Sequence, residues 1–381
     1  MHYKLIKNTR LYAPQYRGLC DIFIAGEKIG LIEKDINILG LPLEVIDAEG
    51  AIAAPGFIDR HVHIIGGGGQ QGYASLVPDV TVSELVRCGT TSVVGLLGTD
   101  GYVKDLGTLY AKTKSLCQEG LSAYMLTSFY GLPERTLTNS VAEDLIYIDK
   151  VIGCKLAMSD DRSSFPTELE ILRLINQVRL GGFTSGKTGF LHIHLGNLPS
   201  GITTLLKIAR DYPSLIKYIS PTHMIRTEEL FVQSVEFAKM GGYVDYSTGG
   251  TRFKQPSECV LEAINLGVPL QNISFSSDGH GGVRKENPVT GEITYRPAPL
   301  DLNLKEVSAL ALDGGMPLEQ ALMLITSNPA SHMNLAEKGK LETGFDADIC
   351  LLDKHLKLIS VISRGCMMMR DGEVIKKGRY E

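Results

Sequence analysis

Eight short apolar, β-branched stretches constrain this chain more than any other feature. They begin near Phe57, Thr91, Ser122, Val151, Gly189, Lys217, Gly242 and Asn272. Successive starts lie about 25 to 38 residues apart, the length of one strand, one helix and their turns. One intervening helix is legible at both ends: Thr81 supplies an N-cap, Glu84 completes a capping box, and Gly89 closes it. Eight strand–helix units predict an α/β fold, a closed parallel (β/α)8 or TIM barrel, rather than an open sheet. Chemistry in such barrels gathers at the C-terminal ends of the strands.

The two ends of the chain have a different texture. Short alternating strands with Gly or Asp-Gly turns run through the first 54 residues and resume from about residue 340. The economical arrangement is a small β-sandwich domain built from both termini, residues 1–54 and 336–381, flanking a barrel over residues 55–335. At 381 residues the chain exceeds the size that one compact core serves, which fits two such units. A net charge of −5 and the lack of a basic stripe argue against nucleic acid or an anionic membrane as partner. The opening Met1-His2-Tyr3-Lys4-Leu5-Ile6-Lys7-Asn8 has no apolar leader core, and no apolar run approaches the roughly 18 residues of a membrane span. Seven scattered cysteines without a CxxC pair fit reduced thiols in a cytoplasmic protein.

Polar residues at the strand ends carry the chemistry. The first stretch ends Asp59-Arg60-His61-Val62-His63. Side chains alternate along a strand, so His61 and His63 point the same way, where two imidazoles can bind one divalent metal; two packed histidines are the alternative. Lys155, His194, His223 and Asp278 follow at the ends of the fourth, fifth, sixth and eighth stretches. Packing alone does not account for such a convergence. His192 is expected to face away from its strand's functional side and to serve packing.

The order His-x-His, Lys, His, His, Asp, together with Pro55-Gly56-Phe57-Ile58-Asp59-Arg60-His61-Val62-His63, resembles the binuclear branch of the amidohydrolase superfamily. Residues 61–69, 91–100, 151–155, 276–279 and the region of Tyr130 are similar to bacterial isoaspartyl dipeptidases, and the likeness extends over essentially the whole chain. It implies two divalent metal ions, His61, His63 and Asp278 holding one and His194 and His223 the other. Imidazole and carboxylate donors favour zinc. A lysine ammonium cannot donate, so the implied bridge at Lys155 is an N6-carboxylysine, formed when carbon dioxide adds to the neutral amine. The implied reaction is hydrolysis of an amide by a bridging hydroxide, with Asp278 carrying its proton to the leaving nitrogen.

Recognition residues follow from the same resemblance. The run Gly66-Gly67-Gly68-Gly69 lacks the Gly-Lys-Ser/Thr ending of a phosphate loop. It lets backbone N–H groups, that of Gly68 included, approach a substrate carboxylate, or it is simply a mobile loop. Arg162 and Arg226 lie just past two strand ends, placed to fork onto carboxylates or to form structural ion pairs. The family pattern implies that they hold a β-aspartyl dipeptide, that Tyr130 bonds the scissile carbonyl oxygen, and that Thr99 contacts a substrate carboxylate. Two departures bear on specificity. Gln70 stands where the dipeptidases carry a glutamate for the substrate ammonium, removing a charge-assisted bond of about 1.5–3 kcal/mol. Gly282 replaces a serine, beside His280 in place of an asparagine. The expected activity is β-aspartyl dipeptide hydrolysis, with an N-blocked or cyclic amide as the alternative substrate. A non-catalytic scaffold is disfavoured, since all six metal-site residues are present. The expected partner is a small acidic molecule, and the resemblance implies a homo-oligomer.

Overall fold

Alternation of apolar and polar residues at the N-terminus folds as β1 (Tyr3–Tyr12), β2 (Tyr16–Ala25), β3 (Lys28–Glu33), β4 (Leu43–Asp47) and β5 (Ile52–Pro55). The computed structural model describes residues 3–288 and 290–381. Met1 and His2, where the reading of the leader begins, lie outside the described residues.

The central stretches become β6 (Phe57–Val62), β7 (Thr90–Gly95), β8 (Ser122–Ser128), β9 (Val151–Met158), β10 (Phe190–Leu195), β11 (Ile219–Thr222), β12 (Val244–Ser247) and β13 (Ile273–Ser276). Nearly every residue in them is buried, as expected of parallel strands covered on both faces. Helices α1 (Val82–Arg87), α2 (Leu106–Gln118), α3 (Val141–Tyr147), α4 (Glu168–Ser185), α5 (Thr203–Asp211), α6 (Glu228–Lys239) and α7 (Pro256–Asn265) separate them in turn. The capping box at Thr81 and Glu84 is present at the start of α1.

Strands β6 to β11 form one curled parallel sheet in chain order, and β12 pairs in parallel with β13. Polar contacts link these two groups. The Met224 N–H donates to the Asp245 carbonyl at 3.2 Å, and the His63 N–H donates to the Gly279 carbonyl at 2.9 Å. Beyond β13 an exposed hairpin, β14 (Gly282–Glu286) with β15 (Ile293–Pro297), precedes α8 (Leu302–Ser308). Two short helices, α9 (Leu318–Met323) and α10 (Ser327–His332), complete the central part.

The chain ends in β16 (Ile349–Leu352), β17 (Leu358–Ser363), β18 (Cys366–Arg370) and β19 (Glu373–Val374). These join the N-terminal strands in one continuous nine-stranded mixed sheet, where two stacked sheets were expected. The short strand β5 is the cause: it pairs parallel with β1 and antiparallel with β16, leaving no break between the two halves. Ile6, Ile22 and Ile24 from one half and Ile349 and Ile362 from the other share a single small core. The seven cysteines are all free, and among the described residues no helix is long and apolar enough to cross a membrane.

A buried ion cluster fastens this sheet to the central strands. Lys338 Nζ lies 2.5 Å from Asp348 Oδ2 and 2.7 Å from Asp346 Oδ2, and it donates to Ser122 Oγ at the start of β8 at 2.7 Å. Burial alone would lower the Lys338 ammonium, but Asp348 and Asp346 more than offset it and raise it above its ordinary value. Removing one partner of a buried ion pair costs about 3–5 kcal/mol. Lys338→Met should therefore lower the midpoint of urea unfolding well below that of the wild type. An unchanged midpoint would show that the cluster adds nothing to the junction.

Candidate active site

Period-two alternation brings His61, on β6, and His63, one residue past it, to the same side, and both are buried. Lys155 on β9, His194 on β10, and His223 and Asp278 just past β11 and β13 converge on them. His223 and Asp278 both adopt left-handed backbone, at φ 63° and 53°. Histidine and aspartate tolerate that region better than most side chains, and such strain concentrates at functional sites.

Donor atoms of His61, His223 and Asp278 all lie within 4.8 Å of one another. Asp278 Oδ1 is 3.3 Å from His61 Nε2 and 3.5 Å from His63 Nε2, while Lys155 Nζ is 3.4 Å from His61 Nε2. This compact group takes members from both halves of the division implied by the resemblance, as ligands of two metals about 3.5–4 Å apart would. The His194 ring sits 4.4 Å from that of His223, but its nitrogens face other partners, Tyr130 Oη at 2.6 Å and Asp160 Oδ2 at 3.0 Å.

Desolvation sets the charge states. Burial, reinforced by Lys155 and neighbouring imidazoles, holds His61 well below its ordinary value, and burial with His194 does the same to His223. Burial brings His194 down to about 3 against the opposing pull of Asp160. Burial also lowers the Lys155 amine to about 7, although Asp278 and Asp245 act the other way. For Asp278, burial would raise the carboxyl, but a hydrogen bond from His63 and the potential of His63, His194 and Arg226 carry it below its ordinary value. His61, His194 and His223 are therefore neutral nitrogen donors near the Asp278 carboxylate. His223 Nε2 and His63 Nδ1 are buried without a hydrogen-bond partner. His63 turns Nε2 to Asp278 and its Nδ1 to Gly67 and Gly98, whereas the bare His223 Nε2, in the group with His61 and Asp278, fits a divalent metal.

A cavity of about 650 Å³ opens above this group, and His63, Tyr130, His194 and Asp278 form part of its lining. Gly68, Gln70, Arg162, Arg226 and Gly282 line it too, as anticipated from sequence. Thr99 is not among the lining residues; it opens a short turn, Thr99–Tyr102, and is half-buried. The glycine run is held in place rather than loose. A side chain at Gly68, with φ 91°, would meet the Ser75 carbonyl oxygen at 2.4 Å, and Lys104 Nζ donates to the carbonyls of Ile65, Gly66 and Val77. His280 ties this region to α1 through Glu84 Oε1 at 3.2 Å.

Several residues were not anticipated from sequence. His192 faces the site rather than away from it: its Nε2 lies 3.0 Å from His61 Nδ1 and its Nδ1 3.1 Å from Ser220 Oγ. The reason is alternation itself, because His192 and His194 stand two apart on β10 and share a face. Asp160, buried in the turn after β9, accepts from Arg162 Nε at 2.7 Å and lies 4.0 Å from Arg226. Burial would raise that carboxyl, but Arg162 and His194 hold it far below its ordinary value. Asp59 Oδ1 accepts from the backbone N–H groups of Ser277 and His61, joining the ends of β6 and β13, and burial pushes its carboxyl up to about 7. A turn aspartate gives no periodic signal; only the Asp160-Asp161-Arg162 spacing past a strand end pointed towards it.

A family model described as the amidohydrolase family matches residues 234–377. The crystal structure of the β-aspartyl dipeptidase of Fervidobacterium islandicum, in complex with β-Asp-Leu, is 38% identical. It covers 98% of both chains with a TM-score of 0.91. A curated dihydroorotase of Aquifex aeolicus is 23% identical over 408 residues, 93% of this chain and 90% of its own. The dihydropyrimidinase of Brevibacillus agri shares the fold at 18% identity, with a TM-score of 0.69 over 99% of this chain and 97% of its own.

The donor geometry generates one direct expectation. His223→Ala should bind markedly less zinc than the wild type after dialysis, by atomic emission, with its circular dichroism retained. An unchanged metal content would remove His223 from the donor set.

Proposed function

Because this chain belongs to the amidohydrolase superfamily, we propose that it is a metal-dependent hydrolase of the β-aspartyl amide bond, as found in β-aspartyl dipeptides. The observation that supports this most directly is the placement of Arg162 and Arg226 on the cavity that His63, His194 and Asp278 also line, with Asp278 belonging to the His61, His223 and Asp278 group. Two guanidinium forks there suit a substrate with two carboxylates. The relative that is 38% identical was crystallised with β-Asp-Leu. We further assign residues 55–335 to a (β/α)8 barrel and residues 1–54 and 336–381 to a small β domain folded on itself. The homo-oligomer implied by the resemblance belongs to the same reading.

His61, His63, His194, His223 and Asp278, with Lys155, are the residues that would hold two divalent metals, zinc by donor type. A divalent metal supplies a water acidic enough to ionise near neutral pH and polarises the scissile carbonyl. The chain's own groups do the rest. Lys155, with an amine lowered to about 7, is substantially neutral at physiological pH and open to carbon dioxide; a C–N bond forms and a proton leaves to solvent. Asp278 remains a carboxylate at neutral pH, able to take the proton of the attacking water and pass it to the leaving nitrogen. Tyr130 is kept a neutral phenol, since burial and then Asp278 raise it, and its hydroxyl, held at 2.6 Å from His194 Nδ1, would turn to the carbonyl oxygen as negative charge develops there. Asp160 sets the forks of Arg162 by its paired contacts.

A second reading rests on a specific observation. Asp278 is the one carboxylate among the described residues lining the cavity, and Gln70 stands where an acid would hold a substrate ammonium. That composition favours an amide whose amine is blocked or cyclised.

Zinc-loaded protein prepared with bicarbonate should hydrolyse β-Asp-Leu, and Asp278→Asn should slow that turnover by about 10²–10⁴-fold. Cleavage of N-acetyl-β-Asp-Leu or dihydroorotate in preference would select the second reading. Gln70→Glu should raise kcat/KM for the free dipeptide by about tenfold or more; no gain would mean that the amine is held elsewhere.

A further inference from the structure

Charge around the mouth of the cavity is lopsided in a way that Arg162 and Arg226 do not explain. Three more arginines line it: Arg252, from the loop after β12, and Arg284 and Arg296, from the hairpin of β14 and β15. Arg162 is balanced by Asp160, and Arg284 is paired with Glu286 at 2.8 Å. Among the described residues, Arg252 has only the Thr248 carbonyl as a side-chain partner and Arg296 makes no ion pair. Among the described residues lining the cavity, Asp278, committed to the histidines, is the single carboxylate.

The hairpin also sits beside the glycine loop that carries Gln70. A side chain at Gly282, the first residue of β14, would come within 3.0 Å of Gly68 Cα. The wall that a free substrate ammonium would have to face is therefore neutral at Gln70 and at the Arg284–Glu286 pair, and positive at Arg296. Like charges there repel an ammonium, whereas a carboxylate at the same place gains charge-assisted hydrogen bonds from donors that lack an acidic partner.

Resting on the reading of the site as a β-aspartyl amide hydrolase, we propose that the preferred substrate carries a third anionic group on the aspartyl nitrogen. It is a β-aspartyl amide whose α-amine is acylated by a carboxylate-bearing group, and Arg252 and Arg296 determine that specificity. The reaction is unchanged: water's oxygen joins the β-carbonyl carbon, the amide C–N bond breaks, and the leaving amine takes the proton.

The experiment compares kcat/KM of the zinc-loaded protein for β-Asp-Leu, N-acetyl-β-Asp-Leu and N-succinyl-β-Asp-Leu. The succinyl compound should exceed the acetyl compound by about tenfold or more, a ratio expected of one charge-assisted contact. Rising ionic strength should erode it. In Arg252→Met, Arg296→Met and the double variant, that ratio should fall towards one. Since both substrates are read in the same protein, a general loss of activity does not mimic this result. Cleavage of β-Asp-Leu or its acetyl form with no gain for the succinyl compound, or a ratio untouched in the double variant, overturns the inference and leaves the parent reading standing. Failure to cleave any of the three overturns both.

Discussion

Taking imidazoles, an amine and a carboxylate out of water together is costly, and the architecture around the site meets that cost group by group. Desolvation keeps His61 and His223 neutral and leaves much of the Lys155 amine uncharged, so their lone pairs are free rather than protonated. A buried nitrogen with nothing to bond forfeits about 1–3 kcal/mol. His223 Nε2, in the group with His61 and Asp278, faces that penalty. An ion satisfying it would offset the loss, and the free energy of binding would then add to the stability of the fold.

The same constraint runs outward into the strands. Asp245 accepts hydrogen bonds from Thr222, Ser274 and Ser276, tying together β11, β12 and β13, the region where the six-stranded sheet gives way to the separate pair. Arg60 is almost wholly buried beneath the histidines and donates to Ser220 and Ser274, and Ser220 in turn lies against His192. Each of these groups orients the next, ending at His61 Nδ1, so that the other nitrogen of His61 is the one turned towards Asp278 and Lys155. Asp160 plays the corresponding part on the substrate side, where one carboxylate fixes the Arg162 fork, approaches Arg226 and holds a nitrogen of His194.

Much of this was legible in the sequence because it depends on local period. Every central strand begins within two residues of its expected start, and the α1 capping box is written in Thr81 and Glu84. His61, His63, Lys155, His194, His223 and Asp278 were readable because strand ends are where period-two patterns stop and polar residues begin. Non-local features were not readable. Whether β5 joins two halves into one sheet depends on pairing with β16, nearly three hundred residues away, and no window of sequence contains that contact. Lys104 and Asp160 act from turns and a loop, where no periodicity marks them. Thr99 stands four residues past the end of β7, in a short turn, where strand period does not place its side chain.

Net charge is a poor guide to what such a cavity attracts. The chain carries −5 overall, which taken alone would repel an anionic ligand at long range. Yet the cavity is ringed by arginines on low-dielectric walls, and field lines concentrate in clefts of that kind. Asp160 screens only the two innermost of them, and the bare His223 Nε2, in the group with Asp278, invites further positive charge. The local potential is thus opposite in sign to the global one. A small polyanion would be repelled by the acidic exterior except at this mouth, which narrows where it can dock. The same potential disfavours any ligand carrying an unpaired ammonium, since Gln70 offers it a dipole where a full negative charge would be needed to compensate. Attraction of a carboxylate and a weaker hold on a free ammonium would therefore follow from one electrostatic property of the cavity.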